Sequence, residues 1–193
     1  DDSTALTQMD ILESEGVACQ AVVRIKGQPS GHAYIFVDYA GQNVIATNLG
    51  ANGALTARHT RQARLSTLLQ NCRCVVITDP PLAVATLLVR GAGDHGIPVL
   101  WDPGVLVQHG WSGIGSLMEY VDSLVLNEPE ATSLFGTARP LELHRMLADG
   151  PEYLILKRGG RGTLVIPGGY GRPLRIPALP LSEMGMPVVN TVG

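Results

Sequence analysis

A chain of 193 residues, 45% hydrophobic and 16% charged, is long enough to bury a real core and too apolar to be a disordered segment. A formal net charge of −3 gives no electrostatic reason to bind nucleic acid. No apolar run reaches the roughly 18 residues of a membrane span, the N-terminus has neither a basic region nor an apolar signal core, and three cysteines suit a reducing compartment, so a cytoplasmic protein is expected.

In chain order, Ser3 to Glu15 carries Leu6, Met9, Ile11 and Leu12 at helical spacing, with Ser3 and Thr4 as candidate caps and Gly16 as a stop. The period then changes. Ala21–Lys26, His32–Asp38 and Asn43–Asn48 are short runs rich in Val, Ile, Tyr and Phe between turn residues, which predicts an antiparallel three-stranded element. Such a small sheet is either an edge extension of a larger one or a flap over a site.

From Thr60 the pattern alternates. Strand-like runs at Cys74–Thr78, Pro98–Trp101, Ser123–Leu126, Tyr153–Lys157 and Thr163–Ile166 are separated by helix-like stretches at Leu65–Gln70, Leu82–Val89, Ile114–Tyr120, Glu130–Phe135 and Leu141–Leu147. The first four runs, each followed by a helix-sized crossover, predict an α/β fold: a mainly parallel sheet with helices on both faces. Thr163–Ile166 and Pro173–Ile176, joined by a glycine-rich link, predict a hairpin. Cys72 and Cys74 are too close for a metal-binding pair and the five histidines are scattered, so no structural metal is expected. Because the chain opens without Met and stops at Val188-Val189-Asn190-Thr191-Val192-Gly193, a fragment of a longer domain is expected.

The stretch Asp122-Ser-Leu-Val-Leu-Asn127-Glu-Pro-Glu130-Ala131 carries the chemistry. Pro129 suits a first helical turn, so Asn127 and Glu130 fall where a strand passes into a helix. Two readings stand: an N-cap with a carboxylate three residues on, a variant of the capping box, or a phosphate site with a Mg2+ carboxylate. Asp102 of Trp101-Asp102-Pro103 faces a cleft or opens a turn, the turn being preferred. His32 touches substrate or merely packs. Arg158 and Arg161 steer a nucleotide or keep a tight loop soluble. Gly91-Ala92-Gly93-Asp94 follows an apolar helical run, where a glycine serves as a left-handed cap, and Asp94 is not expected to be catalytic.

Four stretches stand in a telling order: Gln28-Pro29-Ser30-Gly31 through Asp38-x-x-Gly41-Gln42-Asn43 to Gly50-Ala51-Asn52-Gly53-Ala54-Leu55; Leu124-Val-Leu-Asn127-Glu-Pro-Glu130-Ala131; Leu156-Lys157-Arg158-Gly159-Gly160-Arg161-Gly162-Thr163; and Asn190-Thr191-Val192-Gly193. In this order they resemble the ribokinase-like (PfkB-type) carbohydrate kinase family, over nearly the whole chain. The resemblance implies a lid over residues 17–48, on a core of residues 1–16 and 49–193. The lid would close over the sugar with Ala33 and Ile35 facing substrate, and pair with a second subunit's lid in a homodimer. It implies Asp79 near the sugar, with a turn or helix cap before Pro80-Pro81 as the equal alternative. Asn127 and Glu130 would organise phosphate and Mg2+, and Lys157, Gly159 and Gly162 would face ATP. Gly193 would open the family's Gly-Ala-Gly-Asp anion hole.

The implied reaction is ATP-dependent phosphorylation of a small sugar, ribose first, with fructose, 2-keto-3-deoxygluconate or adenosine as alternatives. A non-catalytic binding protein on the same fold is the reading from another class. Asn190 stands where the family usually has Asp, which weakens the case for a monovalent cation, K+. The family's base, the Asp of its closing motif, is not among these residues, so no catalytic residue is assigned here. Residues 1–193 alone are expected to have little or no kinase activity.

Overall fold

The computed structural model of the chain describes residues 2–39, 43–62, 64–147, 150–169 and 171–180. They fall into two compact units, one within Asp1–Leu55 and the other Thr56–Ala178.

In the first unit, helix α1 spans Ser3–Ser14. Its N-cap is Asp2, not Ser3 or Thr4: the carboxylate accepts the Ala5 N–H at 2.8 Å, satisfying one of the donors a helix start leaves open. The same carboxylate accepts the Ser30 N–H at 2.7 Å and the Ser30 hydroxyl at 2.9 Å, so one side chain ties the helix start to a loop 28 residues away. Strands β1 (His32–Val37) and β2 (Asn43–Asn48) pair antiparallel, with Ile35 opposite Ile45. The third strand expected at Ala21–Lys26 does not form. That run has β-forming residues but turns at both ends, where Cys19 O accepts the Val22 N–H and Ile25 O accepts the Gln28 N–H. A strand needs a partner for its backbone as well as suitable side chains.

The second unit holds α2 (Ala57–Gln62), α3 (Leu65–Leu69), β3 (Val75–Thr78), α4 (Leu82–Asp94), β4 (Val99–Asp102), α5 (Gly110–Ile114) between two 3-10 segments, β5 (Ser123–Asn127), α6 (Glu128–Phe135), α7 (Pro140–Met146), β6 (Tyr153–Lys157), β7 (Thr163–Pro167) and β8 (Leu174–Ile176). The six strands lie in the order β3-β4-β5-β6-β7-β8. The first four are parallel, and β7 and β8 continue antiparallel as the expected hairpin. This is the α/β fold with a mainly parallel sheet, beside a small antiparallel one.

Alternate residues of each strand point to one face, and on that face Ile77, Trp101, Leu124, Leu154 and Ile166 stand in register and are buried. They share one core with Ala85, Val89 and Ala92 of α4, Leu134 of α6 and Leu143 of α7. Fully burying one such leucine contributes about 1.5–3 kcal/mol. On the opposite face Leu100, Val125, Ile155 and Val165 are only half-buried, and Val76 is exposed.

Helix α4 runs through Gly91-Ala92-Gly93-Asp94, and the left-handed glycine beyond its end is Gly96, at φ 63°, not a glycine of that motif. Gly93 is there because the Tyr120 ring lies against its Cα, where a Cβ would collide.

The Asp2 carboxyl titrates at about 2, below its ordinary 3.8, chiefly because the Ser30 N–H, then the Ala5 N–H and the Ser30 hydroxyl, stabilise the charged form. A depressed pKa contributes stability that is present above pH 3.8 and lost as pH falls through about 2. Asp2→Asn is therefore expected to destabilise the first unit at neutral pH and to match the wild type near pH 2. Amide exchange at Ala5 and Ser30 across that range checks this, and equal protection of the two proteins at pH 7 would refute it.

Candidate active site

The carboxyl ends of β3, β4, β5 and β6 form one rim, which is where open α/β sheets bind ligands. At the end of β5, Asn127 caps α6. Its side-chain oxygen accepts the Glu130 N–H at 2.8 Å, while Glu130 Oε2 accepts the Asn127 N–H at 2.7 Å. This reciprocal capping box, with Pro129 inside the first turn, explains why helix starts abruptly where strand stops. The capping reading of these residues is thus present in the structure. It occupies one carboxylate oxygen of Glu130, and the other remains for water or a cation.

Across the ladder, Asn127 stands opposite Lys157 at the end of β6. The chain then bends through Arg158–Gly162 before β7, with the Arg158 N–H donating to Gly162 O at 2.9 Å. Arg161 in this bend forms an ion pair with Glu128, the first residue of α6, so the bend and the helix start are joined. Five of the residues expected at the site, Asn127, Glu130, Lys157, Gly159 and Gly162, therefore gather on two adjoining strand ends.

The two glycines differ. Gly159 has φ 55° and open space where a Cβ would stand. Gly162, at φ 78°, is closed in by β8, and a Cβ there would run into the Ile176 carbonyl. Its requirement is already met by the fold, whatever it does for a ligand.

Two carboxylates stand further along the rim. Asp102 ends β4, and its Oδ2 accepts a hydrogen bond from Lys157 Nζ at 2.7 Å. Asp79 follows β3 with φ 48°, a left-handed backbone unusual for a residue other than glycine, and accepts the Val105 N–H at 3.1 Å. Gly104 leaves room for its carboxyl group, which a Cβ would press at 2.9 Å. Asp79 as a whole is exposed, yet this packing desolvates the acid. Desolvation raises its pKa first, the Val105 N–H works against that, and the charge of Asp102 adds to the rise.

Lys157 and Arg161 are the exposed cations here, and Arg158 adds a buried Nε with no partner among the described residues. That donor set suits a polyphosphate. No three metal-ligating side chains gather among the described residues, so a divalent cation would rely on Glu130, water and phosphate oxygens, the usual manner of Mg2+. Ala33 and Ile35 lie on one face of β1, exposed, in the first unit. His32 bonds the Ser30 carbonyl through Nδ1 at 2.8 Å. Gly193 and Asn190 lie outside the described residues. No local sequence signal pairs Asp102 with Lys157 or Glu128 with Arg161. The only sequence signal for either was an acid at a strand or helix end.

The chain matches the model of the pfkB family carbohydrate kinases over residues 1–193. It is 28% identical over 172 residues to the ribokinase of Schizosaccharomyces pombe, covering 86% of this chain and 50% of that protein. It is 27% identical over 169 residues to the bifunctional ribokinase/ribose-5-phosphate isomerase A of Fructilactobacillus sanfranciscensis, covering 84% and 30%. The chain thus spans half or less of the length of these two relatives. Among solved structures, the adenosine kinase of Anopheles gambiae, in complex with P1,P4-di(adenosine-5) tetraphosphate, shares its fold with a TM-score of 0.81 at 21% identity, over 94% of this chain and 59% of that one.

An acid whose pKa is raised in the folded state contributes stability below its ordinary 3.8 that is lost as pH rises through the raised value. Asp79→Asn removes the charge and keeps the acceptor for Val105, and Asn tolerates the left-handed backbone. The variant is expected to be more stable than the wild type at pH 7, with the gap closing below about pH 4, where the wild-type acid is protonated. Urea denaturation at pH 7 and pH 3 measures it; destabilisation at pH 7 would contradict the assignment.

Proposed function

We propose that this chain, which belongs to the pfkB family of carbohydrate kinases, forms the nucleotide-phosphate half of an ATP-dependent kinase acting on a hydroxyl of a small sugar, ribose first. The observation that carries the reading is the junction of the Asn127–Glu130 capping box with the Lys157–Gly162 bend, pinned by Glu128 and Arg161. Both sequence relatives described above are named for ribokinase activity, which favours ribose over the other sugars.

In this reading Lys157 neutralises phosphate oxygens of ATP, and Asn127 and the α6 start orient them. Gly159, with no side chain, lets the backbone of the bend come close to the nucleotide, and Gly162 shapes the same bend. Glu130 keeps one oxygen on the Asn127 N–H and offers the other to Mg2+ or its waters. Bound Mg2+ would offset charge on the transferring phosphoryl group. Asp79 holds a sugar hydroxyl from the end of β3, two strands away from β5 in the sheet. Residues 17–48 act as the lid, Ala33 and Ile35 facing substrate, and Gly193 leads into the anion hole for the transferred group. Asn190, in place of the family's usual Asp, argues against K+ as a second cation. Such a small-molecule kinase would work in the cytoplasm, without nucleic acid or membrane.

The β1–β2 sheet supports a homodimer through the lid. A lone two-stranded sheet is marginal in water, and the face of this one away from Ala33 and Ile35 leaves Tyr34, Phe36 and Val44 exposed. If the lids pair, Phe36→Glu is expected to convert a dimer to monomer in sedimentation velocity; an unchanged mass would remove the lid from the interface.

The kinase reading is tested on the product of the intact gene with ATP and a panel of ribose, fructose, 2-keto-3-deoxygluconate and adenosine. Ribose is expected to be phosphorylated fastest. Glu130→Ala is expected to lower kcat by about 100-fold, as loss of one electrostatic stabiliser does. Lys157→Met is expected to raise KM for ATP by about tenfold, some 1.4 kcal/mol. Purified residues 1–193 should show little or no turnover. Preference for another acceptor would replace ribose, and no turnover with any would favour a binding protein.

A further inference from the structure

We propose that Asp102 is a positioning residue for the phosphate-binding cation: its carboxylate parks Lys157 across the end of β5 and gives it up when a polyphosphate arrives. The inference rests on the kinase reading and deepens it, because it assigns a role to a residue that reading does not use.

The topology makes the contact informative. Asp102 ends β4 and Lys157 ends β6, and β5 lies between them. Strands two places apart in a sheet are about 10 Å apart. Only a side chain as long as lysine's, extended over the end of β5, meets a short aspartate at 2.7 Å across that gap. Trp101 and Leu156 point into the core, so Asp102 and Lys157 leave their strands on the opposite face. On that face the ammonium passes the end of β5, where Asn127 begins the turn into α6.

The strength of the pair is suited to exchange. The lysine side chain is 44% exposed and the aspartate 26%, so water screens them and the pair is weak. A buried pair would lock the lysine, since breaking it would strand a charge. A polyphosphate brings several negative charges and bidentate oxygens, against which one half-solvated carboxylate competes poorly but measurably. Lysine, a point charge on a flexible stem, can turn from one partner to the other without moving the backbone. Arg161, held by Glu128 beside it, repeats the arrangement with the second cation of the bend. Asp79 stands next to Asp102 and repels it, which favours keeping the lysine on Asp102 while no phosphate is present.

The competition predicts a gain on removing the carboxylate. In the 193-residue chain, titrated calorimetrically with inorganic tripolyphosphate and with MgATP, Asp102→Asn is expected to tighten both by about two- to fivefold, the range a screened pair supplies. Glu128→Gln, a second and independent variant, is expected to tighten tripolyphosphate by a similar factor. Lys157→Met should weaken both ligands, and in that background Asp102→Asn should have no further effect, a coupling that a purely structural role of Asp102 would not produce. If the wild type binds and Lys157→Met weakens it while Asp102→Asn changes nothing or weakens binding, the parking role is wrong and the kinase reading stands. If neither the wild type nor any variant binds either ligand, both fall.

Discussion

The register of β5 against β6 is the constraint from which the site follows. Pairing Ser123 with Tyr153 at one end leaves Asn127 opposite Lys157 at the other, with the buried leucines 124, 126, 154 and 156 holding the two strands to one core. A slip of one residue would exchange those leucines with Val125, Ile155 and Lys157 across the faces of the sheet, so the hydrophobic core itself enforces the alignment. Backbone geometry then does the rest. The capping box ends β5 at a fixed residue, the bend ends β6 at a fixed residue, and the helix start and cationic turn that this makes neighbours are then joined by the Glu128–Arg161 ion pair.

The parts of this architecture that local chemistry decides could be read in advance. Pro129 and the Asn-x-x-Glu spacing announce α6, and the alternating apolar runs mark β3 through β8, because each signal lies within a few residues of the structure it produces. Parts decided by distant partners could not. Ala21–Lys26 has strand-like composition, yet no described strand pairs with it. Gly91-Ala92-Gly93-Asp94 spells a loop motif, yet the apolar face of α4 carries helix through it. Asp102 looked like a turn opener because nothing near it in sequence reveals a lysine 55 residues later.

The resemblance to a kinase family and the physical reading meet at Asn127 and Glu130, and the structure refines what each contributes. The two residues form a capping box, one of the two readings their spacing allows, and the same box presents a half-used carboxylate at the rim. Structural and chemical roles are not alternatives here. A side chain that fixes a helix start is held rigidly enough to place its remaining oxygen, which is what preorganised charge stabilisation requires.

Gly159 and Gly162 sit three residues apart in one bend with opposite freedoms. The first faces open space and is limited only by its backbone angle, whereas the second is walled in by the Ile176 carbonyl of β8. Evolution can therefore retune the solvent side of this bend, trying asparagine or aspartate at position 159, while position 162 stays hostage to a neighbouring strand. Divergence of ligand preference within such a fold would accumulate on one shoulder of the turn and be nearly silent on the other.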